Sequence, residues 1–266
     1  MSFECIEFEM DGATGVATMT LNRPDAANAM NPRLSREMLE VAIRCDEDTS
    51  VRAVVIRAKG KMFCAGGDLK SFHGAGEDIG PVLKAMTIDL HGAISRFARM
   101  DAPVLTEIQG MAAGAGMSLA ICGDLAIAAE SAAFTMAYTA AGLSPDGSST
   151  FFLPRLVGVQ RAKELMLTNR RLDAREAAAW GLVNRVVPDD RLREEVEALA
   201  CSLAAGPSAA YGSVKRLLDT TFSVGLETQM ELEAREITEN ARGRDGREGI
   251  AAFLNKRKPV FEGRRS

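Results

Sequence analysis

The sequence predicts an α/β protein: an α/β core over residues 1–200, then a mostly helical region over residues 201–266. Three observations carry this reading. The first third of the chain alternates strand and helix signals. The runs Ala53–Ala58, Val104–Ile108 and Leu125–Ala128 are short and mainly apolar, as buried strands are, and each ends in small-residue turns. From Arg191 to about Phe253 the pattern is helical, with breaks at Gly206-Pro207 and from Gly243 to Gly246.

Taken in order, Cys5–Met10 alternates apolar and polar residues as a half-buried strand does. Val16–Leu21 repeats the alternation after a turn from Asp11-Gly12 to Gly15, which predicts a hairpin. Asn31 then caps a helix with Pro32 in its first position, and Leu34, Met38, Val41, Ala42 and Cys45 form one apolar face. Leu83–Met100 is a second helix, with Met86, Leu90, Ile94 and Phe97 on its apolar side. Asp173 caps a third, Glu176 completes a capping box, and Gly181 closes it. Val183–Val187 follows as a strand that Pro188 stops. No repeat of fixed period and no low-complexity linker divides the chain, so one unit with a helical appendage is expected.

Composition removes several function classes. Hydrophobic residues make up 47% and charged residues 26%, the mixture of a soluble globular protein. A net charge of -4 offers no basic surface to nucleic acid, so no nucleic-acid partner is expected. Cys5, Cys45, Cys64, Cys122 and Cys201 are scattered singly, which argues against disulfides and a zinc site. No metal site is expected. The segment MSFECIEFEMDG lacks the basic-then-apolar form of a signal peptide, and no apolar run is long enough to span a membrane. A cytoplasmic location is expected.

Two stretches rich in Gly and Ala stand out. Lys61-Met62-Phe63-Cys64-Ala65-Gly66-Gly67-Asp68-Leu69 follows the strand Ala53–Ala58, and Gln109 to Leu119 follows Val104–Ile108. Both are strand-to-helix junctions where a ligand can approach the backbone. Unbonded N–H groups converging from two helix starts make a site for negative charge developing on oxygen. Taken singly, either stretch reads equally well as a tight turn. Neither has the spacing of a phosphate loop or a dinucleotide fingerprint.

With their surroundings these stretches resemble the crotonase (enoyl-CoA hydratase/isomerase) family, from Val16 to about Phe261. Leu21-Asn22-Arg23-Pro24 with Asn28-Ala29 is similar to the family's opening motif, Phe63–Leu69 to its first oxyanion segment and Gly110–Leu119 to its second. Leu143 to Gly147, Leu153 to Gly158 and Ala177 to Val183 resemble further landmarks. The resemblance implies a spiral of ββα units whose C-terminal helices assemble homotrimers or dimers of trimers. It also implies an acyl-CoA substrate, with coenzyme A as part of the substrate and no separate cofactor. The backbone N–H groups of Gly67 and Ala115 would polarise the thioester carbonyl, with Gly114 beside them. The adenine would lie near Ala27, Ala65 and Leu69. Lys256, in a basic C-terminal cluster that otherwise reads as solvated surface, would reach the nucleotide, often a neighbouring subunit's.

Where hydratases of the family place two glutamates, this chain has Ser118 and Tyr138, neither a good base at neutral pH. A carboxylate stands at Asp146. Locally it reads as the cap of a helix beginning near Gly147-Ser148. The resemblance instead matches it to the catalytic Asp of phenylacetate-pathway enoyl-CoA isomerases and of 4-chlorobenzoyl-CoA dehalogenase. An apolar pocket of Met136, Leu143 and Phe151 would make it a stronger base. His91 reads as a helix-surface residue, yet its spacing to Pro103 matches a dehalogenase histidine, and Tyr138 takes the place of an aromatic that packs the dehalogenase's ring substrate. Asp68 reads as a first-turn helix residue. The expected activity is double-bond isomerisation through an enolate, with Asp146 as acid and base. The alternatives are an aryl-CoA dehalogenase with Asp146 as nucleophile, a hydratase, or a non-catalytic acyl-CoA-binding homologue.

Overall fold

A computed structural model describes residues 3–263. The hairpin forms as expected, its first strand starting and ending one residue later than Cys5–Met10: β1 (Ile6–Asp11) pairs antiparallel with β2 (Val16–Leu21). Asp11 closes the turn, accepting from the Ala13 N–H and the Thr14 hydroxyl. Alternation sends Ala17, Met19 and Leu21 inward. Helix α1 (Pro32–Glu47) starts at Asn31, whose side chain accepts from the Leu34 N–H at 2.8 Å.

The strands β3 (Ala53–Ala58) and β4 (Val104–Ile108) are buried along their whole length. They lie centrally in a six-stranded sheet ordered β1-β2-β3-β4-β6-β9, parallel from β2 onward, where β6 is Leu125–Ala129 and β9 is Arg185–Val187. After each central strand the chain crosses to a second sheet. Cys64 bridges Ala112 of β5 (Met111–Ala113), and β5 pairs with β7 (Ala133–Thr135), which pairs with β8 (Leu172–Asp173). Past β3 the chain thus gives the second layer a single bridge, and past β4 and β6 one strand each, in the spiral the resemblance implies.

Between these strands lie α2 (Leu69–Gly74), α3 (Ile79–Arg99), α4 (Ala115–Ala120), α5 (Ser149–Val157), α6 (Val159–Thr168) and α7 (Ala174–Ala179). Helix α3 begins four residues before the expected Leu83, because Pro81 falls in its first turn, where it costs no hydrogen bond. The capping box at α7 is half formed. Asp173 accepts from the Glu176 N–H at 2.8 Å, but the Glu176 carboxylate is taken by the Arg170 guanidinium and does not turn back.

Helix α8 (Leu192–Ala204) covers one face of the large sheet, seating Leu192, Val196, Ala200 and Ala204 on Ala53, Val55, Leu105 and Ile127. The main core fills the other face. Then follow α9 (Ser208–Thr220), α10 (Leu226–Arg242) and α11 (Arg244–Leu254). The expected break after Gly243 occurs, but Gly246 lies inside α11. There a Cβ would stand 2.1 Å from the Asn240 carbonyl oxygen, so glycine is what lets the two helices meet. A break at residues 221–225 was not foreseen. Lys215 ties α9 to the core, donating to the carbonyls of Phe97 (2.9 Å) and Ala102 (3.0 Å) and pairing with Asp124 at 2.8 Å. Among the described residues no helix is long and apolar enough to cross a membrane, and no cluster of side chains could hold a metal ion.

Candidate active site

The two Gly- and Ala-rich junctions meet. The Ala113 N–H donates to the Cys64 carbonyl at 2.9 Å, and the Phe63 N–H to that of Met111 at 3.1 Å. Gly66, at φ +93°, lies so close that a Cβ would stand 2.8 Å from the Ala113 carbonyl oxygen. Gly114, at φ +51°, would point a Cβ at the Gly66 Cα, 3.6 Å away. These contacts bring Gly67 and Ala115, the residues just after the two turns, to one wall. A side chain at Gly67 would collide with the Phe72 ring at 2.5 Å. Among the described residues neither the Gly67 nor the Ala115 N–H has a hydrogen-bond partner. Both line a cavity of about 280 Å³. Burial pushes the neighbouring Cys64 thiol up to about 12, so it stays protonated and is no nucleophile.

The same cavity is lined by Ala65, Leu69, Gly114, Tyr138 and Asp146. The Ala27 carbonyl accepts from the Ala65 N–H at 3.0 Å, which places Ala27 directly behind this wall. Lys256 stands apart from it, exposed beyond α11. Most of the remaining wall is apolar and was not read from the sequence as lining: Met30, Phe72, Leu83, Met86 and Leu90, with Thr87 and Ser144 as its polar members. The periodicity of α3 marked Met86 and Leu90 as buried, and nothing in that pattern separates core from cavity lining.

Asp146 does not cap α5. Its carboxylate takes no part in the helix start; the Ser149 N–H and hydroxyl go instead to the Asp146 main-chain carbonyl, at 3.2 and 2.9 Å. The side chain turns into the cavity, where the Tyr138 hydroxyl donates to Oδ1 at 2.7 Å. The Ser118 hydroxyl, wholly buried, lies 3.0 Å from that of Tyr138 and donates to the Asp146 carbonyl at 2.9 Å. The pocket expected around Asp146 is therefore corrected. Leu143 lines it, but Met136 is buried in the core and Phe151 faces a separate cleft, under the Arg155 guanidinium at 3.5 Å. Asp68 is also corrected: it is the N-cap of α2, accepting from the Ser71 N–H at 3.2 Å.

His91 stands 3.7 Å from Asp146 Oδ2 and lines the separate cleft with Phe151. Its Nε2 accepts from the Gly147 N–H at 3.1 Å, which requires an unprotonated Nε2 in this arrangement. Gly147 is at φ +59°, and a Cβ there would stand 2.9 Å from that of Ser118, so the turn bearing Asp146 depends on glycine.

Burial first, and then the Asp146 charge, push the Tyr138 phenol well above its ordinary 10.0. Tyr138 thus remains a donor and never becomes the base. For a group raised by folding, the stabilisation is complete below its unfolded value, about 10, and declines as pH rises towards the folded value. The difference in phenolate absorbance between native wild type and Tyr138→Phe is accordingly expected to stay flat through about pH 10. A one-tyrosine step in that range, present only in wild type, would contradict the buried, hydrogen-bonded phenol.

A two-layer spiral thus brings two free backbone donors and one carboxylate to one mainly apolar cavity. The chain belongs to the enoyl-CoA hydratase/isomerase family, whose family model matches residues 11–264, and it is an acyl-CoA enzyme of that family. It is 40% identical over 99% of its length to the whole of a protein named probable enoyl-CoA hydratase from Rhodobacter capsulatus. It is 37% identical to 1,2-epoxyphenylacetyl-CoA isomerase from Escherichia coli, covering 94% of this chain and 96% of that one. It is 36% identical to 4-chlorobenzoyl coenzyme A dehalogenase-2 from an Arthrobacter species, covering 91% and 88%. The crystal structure of an enoyl-CoA hydratase from Polaromonas sp. JS666 superposes with a TM-score of 0.91 at 33% identity, over 97% of this chain and 99% of that one. The fold expected from the sequence is thereby established.

Proposed function

We propose that the enzyme is an enoyl-CoA isomerase. The observation that carries this reading is that, among the described residues lining the cavity, Asp146 is the sole carboxylate. The thioester oxygen would sit between the N–H groups of Gly67 and Ala115, and Asp146 would take a proton from the α- or γ-carbon. The electron pair left behind delocalises onto the carbonyl oxygen as an enolate, and the same carboxyl returns the proton to the other carbon. Tyr138 acts as the donor that holds Oδ1, while Oδ2 lies 3.7 Å from His91 Nε2. The adenine would lie over Ala27, Ala65 and Leu69. No cofactor is needed, because coenzyme A is part of the substrate.

Hydration fits less well, because water needs two positioned carboxylates and Ser118 is buried with its hydroxyl on the Asp146 carbonyl. A second reading has its own support: His91 beside Asp146 suits an aryl-CoA dehalogenase in which Asp146 attacks the ring. Against it, the Nε2 lone pair is occupied by Gly147. A non-catalytic acyl-CoA-binding homologue would have no use for two unbonded donors lining one cavity with a carboxylate.

The assembly we propose is a homotrimer or a dimer of trimers, acting in the cytoplasm. Helix α10 has no buried residue, and it exposes Leu226, Met230 and Ile237 close to exposed Phe222 on the preceding turn. An apolar surface of this kind is one that association would cover. In such an assembly Lys256 would serve a neighbour's nucleotide.

The test is a pair of substrates with direct identification of product. A 3-enoyl-CoA is expected to be converted to its 2-enoyl isomer. Crotonyl-CoA is expected to give 3-hydroxybutyryl-CoA slowly or not at all, about 10²-fold or more below the isomerisation. Efficient formation of 3-hydroxybutyryl-CoA would return the enzyme to the hydratases.

A further inference from the structure

We propose that Arg23 is a positioning residue that holds the Gly67 oxyanion donor in place through a clamp on Ala29 and Asp68. The inference rests on Gly67 being an oxyanion donor, as proposed above.

The donor is the N–H of the peptide joining Gly66 to Gly67, and a peptide is a rigid plane. The carbonyl of that same peptide accepts from the Met30 N–H at 2.7 Å, so Met30 fixes the direction in which the Gly67 N–H points. On the far side of Gly67, the Asp68 N–H donates to the Met30 carbonyl at 2.8 Å. One residue, Met30, therefore holds the chain on both sides of Gly67 in an isolated parallel bridge. Two hydrogen bonds alone make a short and frayable contact.

Arg23 closes it. Its Nη1 donates to the carbonyl of Ala29, the residue before Met30, and its Nη2 to Asp68 Oδ2 at 3.1 Å. A single planar fork thus ties both ends of the bridge together. The pair is largely withdrawn from water, with 19% of the arginine side chain and 16% of the aspartate exposed. Each partner is anchored elsewhere too. The Arg23 N–H donates to Asn28 Oδ1 at 2.9 Å, and the buried Asn28 amide donates to the Lys59 and Met62 carbonyls at 2.8 and 2.9 Å. Asp68 Oδ1 caps α2. The clamp therefore sets the oxyanion donor against both a core loop and a helix start. Lysine could reach one acceptor but has no planar fork to span two.

The readout that separates positioning from general stability is polarisation of the carbonyl. A 4-dimethylaminocinnamoyl-CoA ester has an absorption band that moves to longer wavelength when donors pull charge onto its thioester oxygen. Bound to wild type, that band is expected to move to the red. Arg23→Met and Arg23→Lys are expected to bind the ester within a few-fold of wild type but to lose most of the shift. Their kcat on a 3-enoyl-CoA should fall roughly 10–100-fold with little change in KM, the scale of a displaced donor. Asp68→Asn should act in the same direction, and the Arg23→Met/Asp68→Asn pair should be no worse than the worse single variant, because both break one clamp. Where Arg23→Met fails to fold, Arg23→Lys and Asp68→Asn carry the test. Folded variants with the full red shift and wild-type kcat would overturn the clamp while leaving the oxyanion reading intact. No red shift in wild type would overturn both.

Discussion

Asp146→Asn is expected to reduce kcat by roughly 10²–10⁴-fold or more, while coenzyme A ester binding stays close to wild type, because the base is lost and the shape kept. The amide oxygen can still accept from the Tyr138 hydroxyl, so the turn from Asp146 to Ser149 should not move. Its helix-start contacts use the main chain of residue 146, which the substitution leaves in place. A helix-cap role would therefore not explain a loss of activity, and a normal kcat in the variant would contradict the base. Stopped-flow binding of a product ester, run beside steady-state turnover, separates the two effects.

Lys215→Met is expected to cost about 1–3 kcal/mol of stability, as leaving buried carbonyls without their charged donor does. All three donors of the ammonium are used, on Asp124 and the carbonyls of Phe97 and Ala102. Methionine fills the space but leaves the Asp124 carboxylate with only the Val104 N–H, at 2.7 Å. Burial already pushes Asp124 above its ordinary value, against the pull of Lys215, so the orphaned carboxylate should become neutral more readily. The midpoint of thermal unfolding should drop by about 5 °C, at a few degrees per kcal/mol for a chain of this size. A drop of only a degree or two would show that α9 is held chiefly by its apolar contacts.

The elements legible in the sequence were those whose pattern is local. The alternation of Val16–Leu21, the apolar run Ala53–Ala58, and the caps at Asn31 and Asp173 all form where expected. Strands of two or three residues such as β7 and β8 were not, since so short a segment has no period and exists only because the neighbouring layer pairs with it. The same division holds at the site. The glycine junctions announced themselves because close backbone approach demands small residues. The roles of Asp146 and Tyr138 could be reached only through the family resemblance, because the eight-residue gap between them does not reveal that one donates to the other. The pocket wall was misplaced for a related reason. Phe151 lies close to Asp146 in the chain, but the first turns of α5 carry it into the other cleft. Arg23 gave no signal of its role, since the partners of its fork are six and 45 residues away.

The central claim is that Asp146 shuttles a proton and forms no bond to carbon. Single turnover in ¹⁸O-labelled water, with mass analysis of the peptide bearing Asp146 and of the product, tests it most directly. With a 3-enoyl-CoA, neither the carboxylate nor the product is expected to gain label, the α- or γ-hydrogen should exchange with solvent deuterium when the proton escapes, and His91→Ala should change the rate little. A nucleophilic Asp146 would form an ester to an arene carbon, and water would cleave it at the carboxylate carbonyl, placing label in Asp146 first and in product on later turnovers. Such labelling with a 4-halobenzoyl-CoA, together with halide release abolished by either Asp146→Asn or His91→Ala, would contradict the account.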